Sequence, residues 1–444
     1  MTNPHHQAPV LRHGVVAGFG SGALGVSLGA GVIPLLFLFY LTEFAKVPPA
    51  VAGILLALPK LTDLVLDPVI GRRTDQWARR SGSRGHLIAI GTVALPIVLI
   101  LLFVPMSGLP LPLRVGVLGI LLIVQAVLLT VFAVAHTAIV SDLADDMTGR
   151  TRLMSARALG QTIAGLAVSV AAPQLASAFQ AHEGGYLGMA AVLAGAAFIA
   201  CALCLVVVRR VPMRVGATSE HAQPLLPALR ATLRNRTFYC IVAILILLGA
   251  STTALFSALP FANKHLLHGA PEQLSILLTP VFLALLVGVT CAPWLTARLR
   301  TQTLLSAALI LALAGVIWFT SGPRVQASIV TGGIVFGFAI GVLTVLISTL
   351  AIEAATKMQG AGESLGLYLG ILFSAEKLGQ SLGGIVMGFG LDWVGRLDTP
   401  VAAANSAALD RLAWLYAGAP TAALLAAILV LFPLATRLHK EASV

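Results

Sequence analysis

The sequence predicts an all-α membrane protein of twelve transmembrane helices in two six-helix bundles. Three observations predict it. Residues AVILMFWYC make up 58% of the 444-residue chain and DEKR only 10%, against roughly 45–50% and about 25% in a soluble globular protein. The apolar residues gather into runs long enough to cross a bilayer. The charged residues gather between those runs, with the basic ones biased to alternate loops. So few charges cannot cover a soluble fold of this length, which excludes an ordinary cytosolic enzyme. The same composition excludes a disordered chain and a disulfide scaffold.

A helix needs about 20 apolar residues to span the hydrocarbon core. In order, the runs fall at 14–41, 50–71, 87–106, 112–140, 153–179, 186–208, 238–263, 273–296, 303–320, 325–350, 364–391 and 412–436. The first run is far longer than the apolar core of a signal peptide, and a polar stretch precedes it. Glycine punctuates the first run at Gly20, Gly22, Gly25, Gly29 and Gly31, and the eleventh at Gly379, Gly383, Gly384 and Gly388. Small residues let membrane helices pack closely, and they equally suit helices that slide. The longest polar stretch, Arg209 to Thr237, carries six Arg and three Pro. It separates six runs from six. The expected domains are therefore bundles at 1–208 and 238–444 with a cytoplasmic linker at 209–237. That linker is either a plain connector or an amphipathic segment lying on anionic lipid.

The net charge is +11, with 28 Lys and Arg against 17 Asp and Glu. An even number of spans puts both termini on one side. Twenty basic residues are counted on that side, with Arg157 at the start of the fifth run taken with its loop, and six on the other; Lys60 and Lys377 lie deeper inside runs. The bias places both termini in the cytoplasm, in a cytoplasmic (inner) membrane. It also accounts for the basic balance without nucleic acid. Cys201-x-x-Cys204 has a metal-binding or redox spacing. It lies in an apolar run with no further Cys or His close by, which favours packing.

A charge at the bilayer centre costs about 2.5–3.5 kcal/mol on insertion scales, so those retained there carry the functional interest. The second run holds three: Lys60, Asp63 and Asp67. Asp63 and Asp67 are four residues apart and share one helix face. Carboxylates this close repel unless a proton or a cation sits between them. The pair suits a proton site, a Na⁺ site or both; the alternative is a structural Lys–Asp pair with one acid left neutral. Pro68 frees the carbonyl of Leu64 as a further oxygen ligand.

The run Asp63-x-x-x-Asp67-Pro68-x-x-Gly71-x-x-x-Asp75 resembles the second helix and following loop of the glycoside–pentoside–hexuronide:cation symporters. This major facilitator family includes melibiose permease, and the animal sodium–lysophosphatidylcholine symporters are similar to it. Tyr40-Leu41-Thr42-Glu43 resembles the end of the family's first helix. Ser141 to Asp145 with Arg150-Thr151-Arg152-Leu153 resembles its helix 4–5 loop. Phe373 to Gly379 resembles its eleventh helix. Six spans plus six about a central loop is the major facilitator layout.

The resemblance implies that Asp63, Asp67 and Thr130 bind the coupling cation, as metal ligands if that cation is Na⁺. The family's two sugar-binding acids fall at Ser27 and Ala133, so both are absent. The eleventh-helix lysine is present as Lys377. With Lys60 and His136 it completes the expected substrate-binding set, which suits a carboxylate, sulfate or phosphate. Gly71, Asp75, Asp142, Arg150 and Glu376 form the expected cytoplasmic gate, with Asp142 placed against Arg150 and Arg152. The stretch from Glu353 to Glu363 departs from the family pattern.

The function these residues imply is cation-coupled secondary transport of a small sugar-like or anionic solute by alternating access. Transport of an amphiphile, such as a lysolipid or lipid-linked intermediate, and export of a metabolite are the alternatives. No cofactor is expected beyond H⁺ or Na⁺ as coupling ion. The expected partners are a small-molecule or amphiphilic substrate, that cation and the lipid bilayer, and the chain is expected to act as a monomer. A membrane-embedded enzyme would need a convergent nucleophile–base or metal set. The chain has no H-E-x-x-H, and its paired acids sit on one helix.

Overall fold

The computed structural model describes residues 13–144, 147–179, 183–209, 236–321, 326–358, 365–395 and 402–441. Among these, the regular structure is helical throughout. We number twelve α-helices: α1 His13–Val32, α2 Pro49–Ser81, α3 Gly85–Leu102, α4 Leu111–Leu143, α5 Met147–Ala178 and α6 Glu183–Val208. The second six are α7 Arg236–Phe261, α8 Gln273–Arg298, α9 Thr301–Ser321, α10 Gln326–Met358, α11 Leu365–Val394 and α12 Ala402–Glu441. They match the twelve apolar runs in order. Ten helical stretches are long and apolar enough to cross a membrane. The other two helices, α2 and α11, carry the expected transport charges Lys60, Asp63, Asp67, Glu376 and Lys377, and those charges interrupt their apolar runs. Helix α2 also continues to Ser81, well past its apolar run. A polar turn beyond the hydrocarbon finds water and headgroups for its side chains, so the helix need not end where apolarity ends.

Three short π-helical segments interrupt this pattern: Ile33–Phe37, Tyr40–Phe44 and Ala262–Leu266. Prolines adjoin two of them, with Pro34 inside the first and Pro260 just before the last. Proline lacks an N–H and crowds the preceding turn, which favours a wider one. The second and third segments end alike. Ala45 N–H donates to the Tyr40 carbonyl (2.9 Å) and Val47 N–H to Leu41 (2.8 Å). Leu267 N–H donates to Ala262 (3.0 Å) and Gly269 N–H to Asn263 (2.8 Å). Lys46 and His268, at matching positions, both adopt φ 51°. This is a left-handed helix cap, one residue wider than the usual one.

The chain divides into two compact units, Met1–Ile33 with Thr62–Thr218, and Pro34–Leu61 with Ser219–Val444. In the first, α1 packs on α5 and α6, and α3 packs on α4 and α6. Phe19, Ile88, Phe132, Ala135, Leu153 and Cys204 are buried in its core. In the second, α7 packs on α11 and α12, and α10 on α8 and α9. The grouping departs from sequence order at Pro34–Leu61, which packs with helices of the second half of the chain. A Cβ at Gly53 of α2 would lie 2.7 Å from the Cα of Gly388 of α11, so the two backbones touch. Nearby, Phe39 meets Phe261 edge-on with ring centroids 5.0 Å apart. Ser257 donates to the Pro34 carbonyl at 3.3 Å. Most of the expected linker, 210–235, lies outside the described residues.

Candidate functional site

In the first unit, α2 and α4 bring Asp63 and Thr130 together. The Thr130 hydroxyl donates to Asp63 Oδ1 at 3.3 Å. Thr130 is buried and Asp63 half-buried. A carboxylate beside a hydroxyl oxygen is a chemically suitable start for a proton or Na⁺ site, since both atoms are hard donors. Asp67 follows one turn on in α2, but its side chain, like those of Gly71 and Asp75, lies outside the described residues. Among the described residues no three His, Cys, Asp or Glu side chains gather to hold a metal. Lys60, Ser27 and Ala133 are half-buried.

His136 is held tightly. Its ring stacks on Phe19 (4.0 Å between centroids, 7° between planes), and Phe132 lies 5.7 Å away. Its Nε2 lies 2.9 Å from the Phe19 carbonyl. A carbonyl can only accept, so Nε2 carries the proton. One residue on, Thr137 Oγ1 accepts from an Arg157 guanidinium N–H at 2.6 Å. The sequence counts Arg157 among loop residues. The structure sets it, half-buried, inside α5 and within a membrane-spanning stretch. The signal was available: Arg157 follows Arg150 by two helical turns, and apolar residues resume before it.

Asp142, at the end of α4, is paired with Arg84 at the start of α3. Arg84 Nε donates to Asp142 Oδ2 at 3.1 Å, with side chains 8% and 4% exposed. Arg84 is thus a partner of Asp142 that the sequence, which sets Asp142 against Arg150 and Arg152, does not single out. Arg150 Nε donates to the Ala144 carbonyl at 3.1 Å. Arg84 carries no helical periodicity that singles it out among the five arginines of its loop.

In the second unit, Lys377 is half-buried on α11 and its carbonyl accepts from Ser381 Oγ at 2.9 Å. Glu376 is exposed and accepts from Gln380 Nε2 at 3.2 Å. Residues 379–383 and 25–29 each read G-x-S-x-G. Both pentapeptides lie inside helices, without the strand–turn–helix elbow that exposes a nucleophilic serine. Cys201 and Cys204 are buried thiols in the core of the first unit.

A cluster the sequence does not single out joins the π-helical segments. Glu43 accepts a hydrogen bond from Lys264 Nζ, and its other carboxylate oxygen lies 3.6 Å from His265 Nε2. Burial alone would raise the Glu43 pKa. The nearby His265 and Lys264, the latter through its hydrogen bond, outweigh it and hold the pKa at about 2. Glu43 lies beyond the apolar stretch His13–Phe37, outside the spans. Beside it opens a cavity of about 640 Å³, lined by Thr42, Glu43, Lys46, Phe261, Leu391 and Asp392 among others. The only available signal was an acid just past one apolar run and a Lys-His pair just past its counterpart.

A model of the family described as MFS/sugar transport protein matches residues 18–435. An uncharacterized symporter of Synechocystis sp. is 36% identical over 66 residues, a match spanning 15% of this chain and 12% of that protein. Among solved structures, a bacterial homolog of the human lysosomal transporter Spinster superposes with a TM-score of 0.75 at 14% identity, covering 96% of this chain and 97% of the other. The nucleoside transporter NupG gives 0.69 at 14% identity, over 95% of this chain and all of NupG. A proton-dependent oligopeptide transporter gives 0.65 at 12% identity, over 96% and 99%. At such identities the likeness is one of fold.

Proposed function

The chain belongs to the MFS/sugar transport protein family and is an integral membrane transporter, and from that premise we propose that it couples H⁺ or Na⁺ to the movement of an anionic or sugar-like solute. The observation that carries the proposal is the hydrogen bond between Thr130 and Asp63. It joins a fourth-helix hydroxyl to a second-helix acid, two groups that sequence resemblance alone had paired as cation ligands. Asp67, one turn away, completes the proposed ligand set. Cation binding at this site neutralises a charge that is costly within the membrane.

Lys377 is the proposed anchor for a substrate carboxylate, sulfate or phosphate. It interrupts the apolar run of α11, where a charge is expensive to keep. Ser27 and Ala133 offer no carboxylate to accept a bond from a sugar hydroxyl, which favours an acidic solute over a neutral glycoside. Each ligand removes a buried-charge penalty for the other, so coupling is reciprocal. Transport proceeds by alternating access, with both termini on the cytoplasmic side of the inner membrane.

Uptake into proteoliposomes under an imposed Na⁺ or pH gradient tests the proposal. A gradient of one of these ions drives accumulation of an acidic solute in the wild-type protein, and Asp63→Asn abolishes that accumulation. Gradient-driven accumulation by the Asn variant at the wild-type level removes Asp63 from the mechanism.

A further inference from the structure

We infer that the first unit carries a binding site for an anionic phospholipid, formed where α2 turns into α3. The turn itself builds it. Helix α2 ends at Ser81, Gly82 reverses the chain at φ +70°, and α3 begins at Gly85. Ser81 Oγ fastens the turn by donating to the carbonyls of Trp77 (3.0 Å) and Ser83 (2.9 Å). The two helix ends border a shallow open groove of about 320 Å³, lined by Trp77, Arg80, Ser81, His86, Leu87 and Ile90.

The lining is ordered by polarity. Arg80 and His86 are exposed at the polar end. Arg84, between them in sequence, turns inward to Asp142 and leaves the groove to the other two. Among the described residues, no Asp or Glu lines it. Trp77, half exposed, stands where aromatic side chains meet the headgroup layer. Below lie Leu87 and Ile90. Exposed apolar residues then continue down α3 as Val93, Ile97 and Leu101, on the face that Ile90 begins. The apolar span of α3 starts at Gly85, so His86 sits at the interface and this stripe sits in hydrocarbon. A phosphate held by the Arg80 guanidinium and the His86 imidazole above an acyl track is the chemistry of an anionic phospholipid.

Other interfacial arginines differ. Arg298 lies over the Trp294 ring at 4.2 Å and Arg411 over Trp393 at 5.7 Å. Each is engaged with its tryptophan on an exposed surface.

The test uses the full chain in nanodiscs of phosphatidylcholine with increasing phosphatidylglycerol. Brominated phosphatidylglycerol should quench Trp77 fluorescence at lower mole fraction than brominated phosphatidylcholine, by about fivefold for the Arg80 contact. Trp77→Phe assigns the signal, and Arg80→Gln with His86→Gln should abolish the preference while Arg298→Gln leaves it intact. Equal quenching of the wild-type protein by the two brominated lipids overturns the proposal without recourse to any variant. Displacement of the lipid by inorganic phosphate at millimolar concentration overturns it too, because the site would then bind a free anion.

Discussion

Glu43 and His265 occupy matching positions in two π-helical turns and face each other, with a carboxylate oxygen 3.6 Å from Nε2. The matching is exact in hydrogen-bond register, from the bonds that close each turn to the left-handed residue that follows. The two turns thus set a carboxylate in one against an imidazole in the other, and Lys264 adds a cation to the acid. The cluster ties Pro34–Leu61 to the helices of the second half of the chain.

This cluster predicts an acid limb in stability. The Glu43 pKa is lowered from 4.5 to about 2 in the folded protein. A depressed acid stabilises the fold above its unfolded pKa, and that contribution is lost as pH falls from about 4.5 towards 2. After allowance for solvent screening, the contribution is roughly 1–2 kcal/mol. Glu43→Gln should lower the melting temperature at pH 7 and flatten its dependence on pH within that window. A Gln variant with the wild-type acid profile would show that other carboxylates set it.

The Arg84–Asp142 pair makes a second prediction. Both side chains are nearly inaccessible, so removing one charge takes a buried counter-charge from the other. Asp142→Asn should cost about 3–5 kcal/mol, whereas Arg84→Met with Asp142→Leu should recover most of the loss. Thermal unfolding of the single and double variants in one detergent checks this. A double variant no better than the single would indicate that Arg84 and Asp142 act separately.

A third prediction separates the two groups of the proposed cation site. Thr130→Val removes one oxygen and one hydrogen bond while keeping the volume. It should weaken coupling-ion affinity about tenfold and leave transport measurable at saturating ion. Asp63→Asn removes the charge and should abolish coupling at any ion concentration. Ion titrations of uptake distinguish the two, and identical behaviour of the variants argues against a shared site.

Sequence alone carried the fold far, because apolar run length and loop charge are set by the bilayer itself. Helix number and order follow from them. Asp63 was legible because a charge inside an apolar run violates that rule, and Thr130 only through resemblance. Arg84 and Lys264 were not, since each sits among other loop residues and gains meaning from a partner distant in sequence. The division at Pro34–Leu61 was hidden for another reason. It depends on which backbones can touch, and Gly53 and Gly388 look like any other glycines in two glycine-rich helices.

That contact yields the last prediction. A side chain at Gly53 would meet the backbone of Gly388, and backbone cannot rotate aside as a flexible side chain does. Gly53→Val must part α2 from α11, breaking the packing around Leu56, which lies against Gly384. Overpacking of this kind costs about 1–3 kcal/mol. Gly195, inside α6, supplies the control, since a Cβ there would meet nothing within 4 Å. Gly195→Ala should be neutral or stabilising by a few tenths of a kcal/mol, because alanine is the better helix former. The two glycines are both helical, so a propensity effect moves both variants the same way and a contact effect moves only the first. If Gly53→Val unfolds at the same temperature as the wild-type protein, α2 and α11 do not meet at Gly53.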